Sequence, residues 1–275
     1  METLHALLEH LIDYAGTAPP AALSMAATMR NFVTYSGSEH QWMLGRFVLP
    51  LAGLAEFENL AVEAVVNPSL LSVTAIANDA AGMQEVVAFN KRAGTFRSPV
   101  KIDTVEVKAE KEEDIRQTMS IKPEGIVAYF EIAARPDSAK LFSAIAKTGG
   151  RAKIRTGGVT AQMFPSSEEV AGFIRECARA KIAFKATAGL HHPIRSVRSF
   201  TPQPGSESGV MHGFVNVFLA AAQIFSGLNE GGAVATLEER SPDAFHFDDV
   251  GVSWHGHLLK TELIRHARRE FAVSL

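Results

Sequence analysis

The sequence predicts an α/β protein whose main body is a (β/α) barrel of TIM type, regular or distorted, behind an amino-terminal helical extension. Two observations carry that prediction. Six short apolar runs, at residues 46–50, 71–77, 102–108, 126–133, 152–156 and 182–188, alternate with five helix-like segments. Their starts lie about 24 to 31 residues apart, the length of one strand, one helix and two connections. A third observation disfavours the rival open sheet: neither Gly-x-Gly-x-x-Gly between strand and helix nor Gly-x-x-x-x-Gly-Lys-Ser/Thr occurs.

Each element has its own justification. Residues 1–45 form the extension, where Leu4, Leu7, Leu8, Leu11 and Ile12 draw an amphipathic stripe and Pro19-Pro20 breaks it. Residues 46–275 form the barrel, with an irregular carboxy-terminal portion. Between its strands, helices are expected near 54–66, 81–93, 110–119, 137–148 and 167–180. The third is mostly charged and reads as a solvated outer helix. Pro136-Asp137 opens the fourth, ahead of Leu141, Phe142 and Ile145. Ser166 and Glu169 offer a capping box for the fifth. Its Val170, Phe173, Ile174, Cys177 and Ala178 make one apolar face. Beyond residue 196 the rhythm weakens. Residues 198–209 read as a Ser/Pro/Gly-rich loop, 211–225 as an apolar helix, 245–256 as a hairpin or last strand, and 258–271 as a closing helix.

Composition narrows the class. The 275 residues are 47% apolar and 21% charged, and a chain of this length buries about three quarters of its unfolded surface. A net charge of −3 with no long basic run excludes nucleic acid as the expected partner. The single cysteine, Cys177, permits no intrachain disulfide and fits a reducing cytoplasm as a core residue. Glu2, His5, Glu9 and His10 interrupt any signal-peptide pattern, and Val215–Ile224 is shorter than the roughly 20 residues that span a bilayer. The expectation is a soluble cytoplasmic protein that handles a small metabolite. The apolar helix at 211–225 fits a core or a homo-oligomer contact equally.

Charged residues within apolar strands mark the candidate site. In a barrel of this type, chemistry gathers at the carboxyl ends of the strands. Asp79, Glu106, Lys108, Glu131, Lys153, Arg155, Lys185 and Thr187 all fall near such ends. Lys153 and Arg155 share one face of a strand, as do Lys185 and Thr187. Some of these residues could simply pair across the interior. Three cations on neighbouring strands are harder to explain as packing, because like charges repel in a low dielectric. Such crowding lowers a lysine pKa, and the free amine can then attack a carbonyl to form a Schiff base. Arg155 could hold an anion through two parallel hydrogen bonds.

The segment FKATAGL, at 184–190, resembles the Schiff-base strand of deoxyribose-phosphate aldolases. The preceding helix and the TGGVT after the earlier strand are similar in layout. The likeness covers about 40 residues, roughly 152–190; beyond it the chain is similar in general layout to bacterial barrel proteins. The resemblance implies a class I aldolase barrel, a lyase needing no organic cofactor and no metal, with Lys185 as nucleophile. That family carries a second lysine on the following strand before a Gly-Gly turn. Here His191-His192-Pro193 stands there, and Lys153 on the preceding strand would tune Lys185 instead. Glu131 or His191 would move the proton, and Arg155, Thr187, Gly157, Gly158 and Glu106 would surround the substrate. Ser206 and Ser208, in the loop before the apolar helix, offer hydroxyls for a phosphate.

Two other classes compete. One is a different reaction on the same scaffold: a metal-assisted lyase using Glu106, Glu131 and a histidine, or a phosphoribosyl-type transferase. His255-x-His257 also has ligand spacing, though it lies in the hairpin-like tail. The other is a non-catalytic protein that binds a metabolite.

Overall fold

A computed structural model describes residues 1–64, 71–95, 100–134, 138–227 and 230–275. Its centre is a seven-stranded parallel sheet in sequential order, β1 to β7, with helices packed along one face. The strands are β1 (Ile12–Tyr14), β2 (Leu44–Pro50), β3 (Leu71–Ala77), β4 (Val100–Lys108), β5 (Val127–Glu131), β6 (Arg151–Arg155) and β7 (Phe184–Thr187). Sequential order with parallel pairing is what repeated strand–helix units produce. The six runs read from the sequence are β2 to β7.

The sheet curls into a barrel-like form whose two edges share one segment. Beside β7, Phe184 N–H donates to Phe271 O at 2.7 Å, Val273 N–H donates to Phe184 O at 2.9 Å, and Ala186 N–H donates to Ser274 O at 3.2 Å. Beside β1, Asp13 N–H donates to Leu275 O at 3.3 Å and Leu275 N–H donates to Leu11 O at 2.9 Å. The Arg268 guanidinium pins this junction. It donates to the carbonyls of Leu7, at 2.7 Å, and Glu9, at 3.0 Å, and to those of Ala272 and Val273.

The extension therefore needs correcting. Residues 1–45 contain α1 (Glu2–Leu8) and α2 (Met25–Ser36), but they also supply β1 to the sheet. Leu11 and Ile12 continue the helical stripe by spacing alone. A three-residue strand is too short to reset that period.

Around the sheet lie α3 (Leu54–Ala64), α4 (Ala80–Thr95), α5 (Glu112–Ile121), α6 (Ala139–Thr148) and α7 (Ser167–Ala180). The Pro136-Asp137 start signal, and the end of the helix expected at 54–66, lie outside the described residues. The capping box of α7 forms as read: Ser166 Oγ accepts from Glu169 N–H at 3.2 Å, and Ser166 N–H donates to Glu169 Oε2 at 2.7 Å. Cys177 is fully buried on its apolar face, and burial pushes the thiol pKa up.

Strand residues alternate between two environments. Phe47 and Leu49, Val105 and Val107, Ala152 and Ile154, and Phe184 and Ala186 join the helix-facing core. Phe142, Phe173, Phe184 and Phe271 form an edge-to-face ladder there, with ring centroids 5.1 to 5.9 Å apart. Burying a side chain of this size is worth about 1.5–3 kcal/mol. The other face of the strands is polar and carries Glu106, Lys153 and Lys185.

After β7 the chain departs from the repeat. The stretch read as a loop at 198–209 lies mostly in a hairpin of β8 (Ser196–Ser199) and β9 (Ser208–Met211). Helices α8 (Phe214–Phe225) and α9 (Glu230–Glu238) follow. A small antiparallel sheet then forms from β10 (Phe245–Phe247), β11 (Gly251–Trp254) and β12 (His257–Lys260), before α10 (Thr261–Glu270). Among the described residues, no helix is long and apolar enough to cross a membrane.

Candidate active site

Two ammonium groups and three carboxylates form one continuous chain on the polar face of the sheet. Lys185 Nζ lies 2.7 Å from Asp13 Oδ2 and 2.6 Å from Glu106 Oε1. The other oxygen of Glu106 lies 2.6 Å from Lys153 Nζ, which lies 2.7 Å from Glu131 Oε2. The backbone register makes this chain possible, because Lys153 sits beside both Lys185 and Glu131 across the parallel ladder. Asp13 is held in turn by Arg46 N–H at 2.8 Å and Ser274 Oγ at 3.3 Å, so β2 and the edge-joining segment both orient it.

The interleaving reverses one electrostatic expectation. Lys153 and Lys185 are not bare neighbouring cations, because Glu106 bridges them. Burial alone would lower the Lys185 pKa, but Asp13 and Glu106 outweigh it and hold the pKa above its ordinary value. Burial would likewise raise that of Glu106, yet the two ammonium groups pull it down to about 2. Lys185 is thus held in its charged form between two buried carboxylates.

Depth separates the two lysines further. The Lys185 side chain is 1% exposed and its partner Glu106 is 3% exposed, whereas Glu131, beside Lys153, is 24% exposed. Glu131 opens onto a cleft of about 890 Å³ at the carboxyl ends of β4, β5 and β6, within the usual range for small-molecule sites. Ile154, Arg155, Met163 and Phe164 form other parts of its wall.

Above β6 and β7 the mouth is closed by the chain's own packing. Gly157 and Gly189 approach so closely that a Cβ on Gly157 would stand 2.6 Å from the Gly189 Cα and 2.6 Å from Phe164 Cε1. Gly189 has a φ of +75°, a conformation that favours glycine. Phe164 stacks on Phe200 from the β8–β9 turn, with ring centroids 4.8 Å apart. The backbone approach expected of Gly157 and Gly158 therefore accommodates Phe164 and Met163 rather than a ligand. Thr156 Oγ1 donates to Ala188 O at 2.7 Å and ties the two loops together.

The remaining candidates divide. Arg155 stands on the cleft rim and donates through Nε to Gly157 O at 3.1 Å. Thr187 faces back toward β6, with its hydroxyl 3.5 Å from Ile154 O. Lys108 also lines the cleft, paired with Glu110 at 2.6 Å, while Asp79 caps α4 by accepting from Ala81 and Gly82 N–H. His191 is exposed on the loop after β7. Ser206 and Ser208 serve the hairpin: Ser206 Oγ accepts from Thr201 N–H at 3.0 Å, and Ser208 pairs with Ser199 at 3.1 Å. The start of α8 offers no phosphate cradle, because Phe214 and Val215 N–H donate to the carbonyls of His192 and Pro193.

Among the described residues, no group of three His, Cys, Asp or Glu is placed to hold a metal. Glu106 and Glu131 face lysines, and His255 pairs with Glu239 at 2.8 Å while His257 stacks on Trp254. Sequence reasoning missed Asp13 and Ser274. The signal for Asp13 was present, a lone acid inside Leu11-Ile12-Asp13-Tyr14. Ser274 carries none.

Compared with models of protein families, with curated proteins and with solved structures, the chain matches none of them.

Proposed function

We propose that this protein is a lyase of the Schiff-base type acting on a small anionic carbonyl compound, on a (β/α) barrel of TIM type in which residues 271–275 serve as the closing strand. The reactive amine in this reading is Lys153, with Lys185 as the fixed cation behind it. The observation that carries it is the position of Lys153 between Glu106, deep in the sheet, and Glu131, at the floor of the cleft.

That position gives the Lys153 ammonium an acceptor for its proton beside the cleft. When Lys153 hands a proton to Glu131, both become neutral, and Glu106 keeps its ion pair with Lys185. Asp13 and Glu106 then share the single ammonium of Lys185. Lys185 lacks this option, since both its carboxylates are buried. The free Lys153 amine adds to the substrate carbonyl carbon, and the carbonyl oxygen takes two protons and leaves as water. An iminium remains. Glu131 then removes the proton from the β-hydroxyl, and the Cα–Cβ bond electrons flow into the iminium. An aldehyde departs and an enamine stays on Lys153. Protonation at carbon and hydrolysis by water release the second product and restore the amine.

Reductive trapping tests this. The protein is treated with cyanoborohydride and acetaldehyde, pyruvate, dihydroxyacetone phosphate or glyceraldehyde 3-phosphate, then weighed intact by mass spectrometry. One adduct is expected in wild type and in Lys185→Arg, and none in Lys153→Arg. An adduct lost only in Lys185→Arg would return the nucleophile to the deeper lysine. No specific adduct with any probe would overturn the lyase reading and favour a metabolite-binding protein.

A further inference from the structure

Charge is unevenly matched along the cleft wall. The carboxylates of Glu110, Glu112 and Glu131 each have a cationic partner: Lys108 at 2.6 Å, Arg116 at 3.5 Å and Lys153 at 2.7 Å. Three other cations line the same cleft: Lys111 before α5, Lys140 in the first turn of α6, and Arg155 at the end of β6. Among the described residues, no carboxylate lies within ion-pair distance of any of them. The fourth carboxylate on the wall, Glu169, has its Oε2 occupied by Ser166 N–H and no cationic partner. Three cations without a carboxylate partner therefore face the cleft, from three successive strand–helix connections, beside one carboxylate without a cation.

We propose that Arg155, Lys140 and Lys111 form a subsite for a phosphate monoester, so that the carbonyl substrate is a short phosphorylated one. A phosphate monoester presents three terminal oxygens to these three cations, whereas a carboxylate presents two. Arg155 presents a planar fork of donors with only Nε engaged, and the two lysines add mobile point charges. The spacing limits the substrate's length. Arg155 lies two residues beyond Lys153 on the same strand, a separation of about 7 Å, which suits a phosphate roughly four bonds from the carbonyl carbon. The anion-binding part stands on cleft charge alone, while the carbonyl part rests on the Schiff-base reading.

The test is a titration of the full-length protein with inorganic phosphate, and separately with acetate, at pH 7.5 and low salt, followed by calorimetry or phosphorus NMR. Phosphate is expected to bind wild type more tightly than acetate does. Its affinity is expected to fall about tenfold in Arg155→Gln, and by a smaller factor in Lys140→Gln, as one charge-assisted contact is removed each time. Lys147→Gln, at the other end of α6, is expected to bind as wild type does. Equal affinity for acetate, or an equal loss in Lys147→Gln, would overturn the proposal by showing a carboxylate site or diffuse attraction. No phosphate binding would overturn it outright. Because no carbonyl is present, phosphate binding without any trapped adduct would sink the lyase reading and leave the subsite standing. An adduct with acetaldehyde in a protein that ignores phosphate would do the reverse.

Discussion

The two sides of the barrel-like mouth solve opposite problems with neighbouring loops. Over β6 and β7, glycine backbones meet, Phe164 fills the space beside them and Phe200 stacks on top. Over β4 to β6, the connections stand apart and leave an open cleft walled by lysines, an arginine and glutamates. The same chain of buried charges runs beneath both. Its deep end, at Asp13 and Lys185, lies under the closed side, and its Glu131 end surfaces on the open side. The difference separates a lysine enclosed by two buried carboxylates from one whose second carboxylate reaches the cleft, although both sit inside apolar strands at paired register positions.

The comparison can be broken first at its hinge, Glu106. Glu106→Leu leaves two ammonium groups facing one missing carboxylate, and a loss of about 3–5 kcal/mol in unfolding free energy is expected in denaturant titrations. A loss below 1 kcal/mol would show that the buried chain is not a coupled unit. Acid titration sharpens the same point. Glu106 titrates at about 2 in the folded protein, below its ordinary 4.5, so its contribution is complete above that ordinary value and is lost as pH falls from about 4.5 toward 2. The stability advantage of wild type over Glu106→Gln is expected to shrink across that window. An advantage that stays constant down to pH 2 would contradict the depressed value.

The closed side offers a smaller effect. Gly157→Ala forces a methyl against the Gly189 backbone and the Phe164 ring, with an expected cost of about 1–3 kcal/mol by thermal or chemical denaturation. Phosphate affinity in that variant is expected to fall as well, because Gly157 O holds Arg155 Nε and Phe164 lines the cleft. Unchanged stability with weakened anion binding would show that Gly157 serves a ligand after all.

The fold was legible where strands were long enough to show a pattern. Leu71–Ala77 was read to the residue, and β2, β4, β5, β6 and β7 within a few positions. Strand β1 escaped because three residues adjoining a helical stripe carry no period of their own. The β8–β9 hairpin escaped because Ser, Pro and Gly dominate its neighbourhood. Within the site, Lys153, Lys185, Glu106 and Glu131 announced themselves as charges in apolar runs. The sign of the Lys185 shift did not, since it depends on Asp13, brought in from the far end of the chain. Lys111 and Lys140 looked like ordinary surface lysines, and only the cleft between their connections distinguishes them.

The junction pinned by Arg268 has a consequence for how the chain is made. Its bond to Leu7 O joins residues 261 positions apart, so a nascent chain leaving the ribosome can pair its first strand with β2 early but leaves the other edge of that strand unpaired until the distant segment follows. Through that interval β1 keeps an open edge toward the missing segment, the kind of edge that invites pairing with other chains. Ser274, which helps to orient Asp13, emerges 261 residues after it. The arrangement around Asp13 and Lys185 therefore completes only after residues 271–275 have been made.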